Sequence, residues 1–380
     1  MQTLLDLLGR AEGLSFLESQ GVLVSQSKFK ARLKAPVKCD LAGELGVADK
    51  KLVCSGQQLY VDYRHSVLSK IQILQDLQQD SELFPFFLWV DTDRTGSDNL
   101  ITKFAWPNLG KKGPITIMPP RTREVEIRFT SLDRAQLVSA IDRLETYLRQ
   151  SGDRRKDAKP KYQQLRTIFT DEPHENLGEF NLRLTSFLLA HVFGFVPQSI
   201  ILSGLLKQES TLGEVNLLIN NLTDMVRVFN ETVQALTRRD IDPQVTPLGE
   251  NYLPLFYSCD VDGRRIRLSH HREGQDHFAV CRCKCGRDYK FHLGQRMLSI
   301  AELAQTNRWS PDVCFPIFFN DLVSGFVAGK SSAIYLMVLN QVLRKVLAKT
   351  SVPVLVPESL TGQERSPHHD SLIYRYLAGV

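Results

Sequence analysis

Several features that mark specialised chains are missing here. No apolar run approaches the ~20 residues that a membrane-spanning helix needs. The greasiest stretch, residues 187–202, is broken by His191, Gly194, Pro197 and Gln198. Internal repeats and low-complexity tracts are absent, which excludes solenoid and fibrous architectures. A charge excess is missing too: 47 Lys and Arg against 42 Asp and Glu leave +5, too little for a nucleic-acid surface unless the basic residues cluster. The opening MQTLLDLLGRAEGLSFL lacks both a positive n-region and a small-residue cleavage site. It fails as a secretory signal, so no membrane partner and a cytoplasmic location are expected.

What is present describes a folding chain of 380 residues, 43% apolar and 23% charged. That length buries a real core and favours one large α/β domain with insertions, or two domains. Cysteines number seven, an odd count, with three in one tight cluster. Metal or redox chemistry fits such spacing better than a disulfide framework.

Periodicity sets the organisation. Residues 51–54 form an apolar strand that runs into Ser55-Gly56-Gln57-Gln58. Val67, Ile71, Leu74 and Leu77 then recur at helical spacing over about residues 64–79, and LFPFFLWV (83–90) is the unbroken apolar run of a strand covered on both faces. Strand, helix and strand make a βαβ unit. Alternation over 124–130 places Val125, Ile127 and Phe129 on one face. Ser131 or Asp133 can cap the following helix of Leu137, Ile141, Leu144 and Leu148. Residues 151–162 are charged and read as an exposed connection. A short strand at 199–202 ends at Ser203-Gly204, and Leu218, Leu222, Met225, Phe229 and Leu236 mark one long amphipathic helix. From 253 to 291 the period changes to two around Asp262-Gly263, as in an antiparallel meander. Strand 323–328, turn Gly329-Lys330-Ser331-Ser332, helix 333–349 and strand 353–357 return to α/β grammar.

The fold class expected is therefore α/β. A Rossmann-like parallel sheet core with helices on both faces occupies 1–250, with a helical insertion over about 131–198. A small antiparallel insertion carrying the cysteines spans 251–295, and 296–380 return to the core with a C-terminal tail.

Open parallel sheets bind ligands outside the carboxyl ends of their strands. Four such places carry chemistry: Gly56-Gln57-Gln58, Asp91 and Asp93 after Trp89, Ser203, and Gly329-Lys330-Ser331-Ser332. The glutamines can fix an amide or carboxylate, and the paired carboxylates can hold an amine or act as a base. As solvated strand-end residues, Asp91 and Asp93 need no function at all. Gly329-Lys330-Ser331 resembles the end of a phosphate loop. It is no Walker A motif, because Ser324 stands where the first glycine belongs. His65 begins the first helix.

In a straight strand Cys281, Cys283 and Cys285 share a face with neighbours about 6.6 to 6.8 Å apart, whereas sulfurs around tetrahedral zinc lie roughly 3.8 Å apart. All three cannot chelate unless Gly286 turns the chain and Cys259 approaches from an adjacent strand. A structural zinc on Cys259, Cys281, Cys283 and Cys285, with His270, His271, His277 or His292 as further donors, stands against reduced thiols on a hairpin. Cys39, Cys54 and Cys314 read as buried small residues.

The order of these pieces resembles the bacillithiol biosynthesis cysteine-adding enzymes. LVCSGQQ, a helix with Lys70, FPFFLWVDTD, LPLFYSCDVDGRRIRL, RWSPDVCFPIFFNDLVSGFVAGKSSAIYL and VPVLVP follow that family's motif order over about residues 45–360. The resemblance implies a Rossmann-like core and formation of an amide between the cysteine carboxyl and an amino-sugar conjugate. By position it implicates Gly56, Gln57, Gln58, Lys70, Asp93, Asp321, Gly329 and Tyr335. The chain departs from the family at Arg94-Thr95-Gly96, where an Asp-His-Asp run is expected, and at Lys330-Ser331-Ser332, where Pro-Gly-Glu is expected. An arginine expected near Phe315 and Pro316 and the C-terminal coiled coil are missing, and the cysteine cluster is extra.

Two readings follow. One is a ligase-like enzyme joining an amino acid, cysteine being the implied one, to an amine. Because a carboxylate is a poor acyl donor, it would need a nucleotide such as ATP or a carrier thioester, hence a carrier protein as partner or action within a homo-oligomer. Asp91, Asp93 and Lys330 would carry the chemistry, with His65, Lys70, Trp89, Ser203, Asp321, Ser331, Ser332 and Tyr335 around the substrate. The other reading is a non-catalytic relative serving as a binding or partner subunit. Action on tRNA fits poorly, since no basic stripe interleaved with aromatics is present.

Overall fold

The computed structural model describes all residues except 38, 97–98, 105–114, 119–123, 151–157, 171–173, 313–314, 359–370 and 380. Cys314 and most of the connection 151–162 thus lie outside the described residues. In chain order the strands are β1 (Val22–Leu23), β2 (Lys51–Gln58), β3 (Leu83–Val90), β4 (Lys103–Phe104), β5 (Ile115–Thr116), β6 (Gln198–Ile201), β7 (Tyr252–Ser258), β8 (Arg265–Glu273), β9 (Asp276–Arg282), β10 (Asp288–Gly294), β11 (Trp309–Pro311), β12 (Gly325–Val327) and β13 (Val354–Leu355). Six of them form one sheet in the order β1-β13-β12-β2-β3-β6, every pair parallel.

Side chains of the central strands alternate between two apolar layers. Leu52, Cys54, Phe86 and Leu88 enter one, and Val53, Phe87 and Trp89 the other. All are nearly solvent-free, and each large side chain so buried contributes roughly 1.5–3 kcal/mol. The helix His65–Leu77 covers the Phe87 face through Val67, Leu68, Ile71, Leu74 and Leu77. Helices Arg134–Gln150, Ala158–Thr170 and Leu177–Phe193, which fill the expected insertion, add to that layer. The opposite face is covered by Glu209–Asn220, Leu222–Arg238 and Lys330–Lys345. No helix among the described residues is long and apolar enough to cross a membrane.

The antiparallel sheet, ordered β10-β9-β8-β7-β11, packs Tyr252, Leu253, Leu255 and Tyr257 into the Phe86 layer. Its β7–β8 and β9–β10 turns lie at one end, and Gly263 (φ +71°) and Gly286 (φ +95°) take the left-handed backbone that each turn requires.

Several local expectations are corrected. β2 continues through Gln58, because Gly56, Gln57 and Gln58 pair in register with Leu88, Trp89 and Val90. Residues 127–129 form a 3-10 turn in place of a strand: the Ile127 and Arg128 amides donate to the Asp93 and Asp91 carbonyls, and the Phe129 amide closes the turn on the Glu126 carbonyl. Residues 158–162 open a helix around buried Tyr162. The single long helix is two, broken at Asn221. Gly329 caps the last long helix, which starts at Lys330. β1, too short to leave a periodic signal, was not anticipated; it completes the edge beside β13.

Candidate functional site

The strand order reverses between β12 and β2. The chain leaves β2 toward the helix His65–Leu77 on one face, and leaves β12 toward the helix Lys330–Lys345 on the other. Connections that diverge in this way mark a topological switch point, and ligands of open parallel sheets bind outside the carboxyl ends of the strands at such points. Gln57 and Gln58 end β2 there, and Gly329, Lys330, Ser331 and Ser332 follow the end of β12. The buried Ser55 hydroxyl donates to the Val327 carbonyl at 2.9 Å and fixes the two strands together just beneath.

On the β2 side the polar groups form one connected chain. Buried Lys70 donates from Nζ to the Gly56 carbonyl at 2.6 Å and to Gln57 Oε1 at 3.1 Å. Gln57 Nε2 donates to Gln58 Oε1 at 2.5 Å and to the Tyr60 hydroxyl at 2.8 Å, and Gln58 Nε2 donates to Asp93 Oδ2 at 3.2 Å. Burial pushes the Lys70 ammonium down to about 8. Gly56 lies close against β3: a Cβ there would meet the Leu88 carbonyl at 3.2 Å, so a larger residue needs that carbonyl to shift by a few tenths of an ångström.

Asp93 is also held from the far side. Arg265, at the start of β8, pairs with Asp93 Oδ1 at 3.3 Å and Glu126 Oε1 at 3.5 Å. It donates to Ser310 Oγ at 3.0 Å and the Pro311 carbonyl at 2.8 Å. Fully buried Glu126 accepts from Ser310 at 2.6 Å and from Arg128 Nε at 2.7 Å. Burial raises the Glu126 carboxyl against the pull of Arg128 and Arg265. Asp91 points away from this network and accepts from the Ser203 amide at 3.0 Å; burial raises its carboxyl too, with Ser203 and Arg128 opposing.

Other expected site residues stand elsewhere. Trp89 lies inside the core, its ring 4.1 Å from that of Phe87 and its Nε1 donating to Ser199 Oγ at 3.0 Å. Tyr335 packs against the other apolar layer. Asp321 precedes β12 and so sits at the amino edge of the sheet, where Lys349 holds it at 2.7 Å and Lys34 at 3.7 Å. His65 is half-buried, 3.4 Å from the Ser69 hydroxyl. The departures at 94–96 are structural here: Arg94 bridges to Glu126, and buried Thr95 donates its amide to the Val125 carbonyl at 2.9 Å.

A second cluster lies at the turn end of the antiparallel sheet. The ligand atoms of Cys259, Asp262, Cys283 and Cys285 all lie within 4.8 Å of one another and could hold a metal ion. Cys259 and Cys285 sulfurs are 3.7 Å apart. Cys283 Sγ is 3.5 Å from each Asp262 oxygen. Burial pushes the Cys283 thiol up to about 12, while the Arg287 amide and then Cys283 hold exposed Cys285 below its ordinary value. Burial is the largest influence on Asp262 and acts upward, but the Arg264 amide and the two thiols outweigh it and leave the carboxyl lowered.

Cys281 is not in this group. Strand β9 ends at Arg282, so Cys281 remains within the sheet beside Tyr289 while Cys283 and Cys285 turn out of it. The four histidines are excluded for a similar reason, because they sit toward the opposite end of the meander. There His270 Nε2 lies 2.8 Å from His277 Nδ1, and His292 is 3.0 Å from Asp276.

Asp262 and Arg265 are the residues that sequence reasoning missed. Cys259-x-x-Asp262 carries the spacing of a chelating turn, and it was read only as Asp-Gly turn chemistry. Arg265 carries no pattern that separates it from Arg264 or Arg267. Compared with models of protein families and with curated proteins, the chain has no match in either.

Proposed function

We propose that the crevice between β2 and β12 is the active site of a carbon–nitrogen ligase that joins an amino acid, cysteine by the resemblance, to a small amine. The observation that carries this reading is the reversal of strand order at that point, with Gln57, Gln58 and Asp93 on one side and Lys330 on the other. Half-buried glutamine amides suit a zwitterionic amino acid, because they donate and accept within the same side chain. Lys330, at the start of a long helix, adds a cation to the positive end of the helix dipole and suits an anionic activating group.

The carboxylate must lose an oxygen. A carboxylate oxygen attacks the terminal phosphorus of a nucleoside triphosphate, forming an acyl phosphate and releasing nucleoside diphosphate, and the attacking amine then expels phosphate bearing that oxygen; from a carrier thioester the amine would instead expel a thiol. In either route the nitrogen forms the new bond to the acyl carbon and gives its proton to Asp93. Lys70 touches only the Gly56 carbonyl and Gln57, so it positions the glutamine. The ion suited to the cysteine cluster is zinc, by its three sulfurs and one oxygen.

Mass spectrometry of mixtures of cysteine, ATP and candidate amines tests the reading. Lys330→Ala and Asp93→Asn should each lower product formation roughly a hundredfold or more; the melting curve should stay in place in the first and fall modestly in the second, where Arg265 loses a paired charge. Unchanged turnover in both variants removes the assignment. A non-catalytic binding role is favoured by one observation: Arg265 already neutralises Asp93. Under that reading amino acids or nucleotides raise the melting temperature and no product forms.

A further inference from the structure

We infer that a zinc ion bound by Cys259, Asp262, Cys283 and Cys285 clamps the two hairpin turns of the antiparallel sheet and thereby fixes Arg265 against Asp93. The inference rests on the zinc assignment and is independent of the ligase reading.

The ligand geometry is already set. A tetrahedral zinc with sulfur bonds near 2.3 Å separates its sulfurs by roughly 3.8 Å, and Cys259 and Cys285 are 3.7 Å apart. Both turns offer backbone amides to the sulfurs, Val261 N to Cys259 at 3.4 Å and Cys285 N to Cys283 at 3.5 Å. Such donors favour thiolate over thiol and orient it. Arg264 holds Asp262 Oδ2 at 3.2 Å, the Tyr289 hydroxyl reaches Cys259 at 3.1 Å, and Arg308 donates to the Cys259 carbonyl at 3.1 Å. Three thiolates and a carboxylate around a dication leave a net negative site, and the surrounding cations offset it.

From the metal the chain leads directly to the crevice. Gly263 and Arg264 separate Asp262 from Arg265, and the turn is closed by the Cys259 amide on the Arg264 carbonyl at 2.9 Å. Both turns also grip the segment preceding Ile127. Lys284, between two of the ligands, pairs with Glu124 at 2.6 Å, Arg264 reaches Glu124 at 3.5 Å, and Arg264 bridges to Val125. That segment donates the Ile127 amide to the Asp93 carbonyl at 2.9 Å. Release of the ion would free both turns and, with them, Arg265 and the Asp93 loop.

The test uses the full chain expressed with zinc. Elemental analysis should find one zinc per chain, lowered about tenfold or more in Cys283→Ser and Asp262→Ala under chelator competition and retained in Cys281→Ser. Absence of zinc, equal retention in all variants, or a Cys259–Cys285 disulfide overturns the site. Hydrogen exchange then reads the coupling: chelation should speed the amides of Thr95, Ile127 and Arg128 by about tenfold and leave those of β2 and β3 unchanged. Unchanged exchange at 95, 127 and 128 overturns the clamp. Neither readout depends on turnover, so failure here is separate from failure of the ligase reading.

Discussion

The carboxyl edge of the parallel sheet and the turn end of the antiparallel sheet solve the same problem by different means. At the first, a two-sided apolar core sits directly beneath the polar groups: β2 carries Gln57 and Gln58, the helix His65–Leu77 carries Lys70 onto Gln57, and Gln58 donates to Asp93 in the loop after β3. At the second, the turns project past the packed part of the sheet, with Val261 60% exposed and Cys285 exposed. There the turns are held by ion pairs, Lys284 and Arg264 to Glu124 and Arg287 to Asp260, beside a cluster of Cys259, Asp262, Cys283 and Cys285 that could hold a metal ion. A packed core thus supplies order to one region, and polar contacts between loops supply it to the other.

The comparison breaks most sharply if each region is damaged alone. Phe87→Ala, which empties a fully buried site beneath the crevice, should cost about 3–5 kcal/mol in denaturant unfolding without loss of metal. Metal release with that variant would show that the two regions fold as one unit. Zinc removal should act in reverse. With free zinc about a thousandfold above Kd the ion contributes about 4 kcal/mol, so chelation should lower Tm by roughly 5 °C for a chain of this length, read by calorimetry.

The junction between the regions comes next. Glu126→Ala leaves Arg128 and Arg265 without their buried carboxylate, and should destabilise by about 3 kcal/mol. A change below about 0.5 kcal/mol would mean the regions are not joined there.

Lys70 gives a pH signature. Its folded value near 8 lies below the ordinary lysine value of 10.5, so the cost of burying the ammonium is fully present below pH 8. That cost is relieved as pH rises from about 8 toward 10.5. The wild-type denaturation midpoint should therefore gain up to about 3 kcal/mol relative to Lys70→Met across that window; parallel profiles would refute burial as the cause. Smallest in energy is a reactivity order. In metal-free protein Cys285 should alkylate first and fully buried Cys54 last, as followed by mass spectrometry, and zinc should protect Cys285.

Much of this was legible because it depends on local rules. LFPFFLWV announced a doubly covered strand, and Val67, Ile71, Leu74 and Leu77 announced their helix. Gly286 as the residue that turns the chain, and Cys259 as the ligand from another strand, followed from the reach of sulfur ligands. The failures share one cause, which is contact between segments far apart in sequence. Trp89 was assigned to substrate because it precedes Asp91, yet in a strand alternate residues face opposite layers, and its own points into the core. The family pattern implicates Asp321 together with Gly329, but β12 lies between them and puts them at opposite edges of the sheet. No pattern in GRRIRL distinguishes the arginine that crosses to Asp93.

Local pattern alone marks most of the longer strands and helices, the presence of two kinds of sheet, and a hairpin region that carries the clustered cysteines. Periodicity and turn residues act within a few positions and can be read there. The strand order, and with it the switch point between β2 and β12, comes from long-range contacts. Those contacts also decided the replacement of Cys281 by Asp262 and the pairing of Arg265 with Asp93, because these depend on which distant segments share a core, and burial is a property of the whole chain.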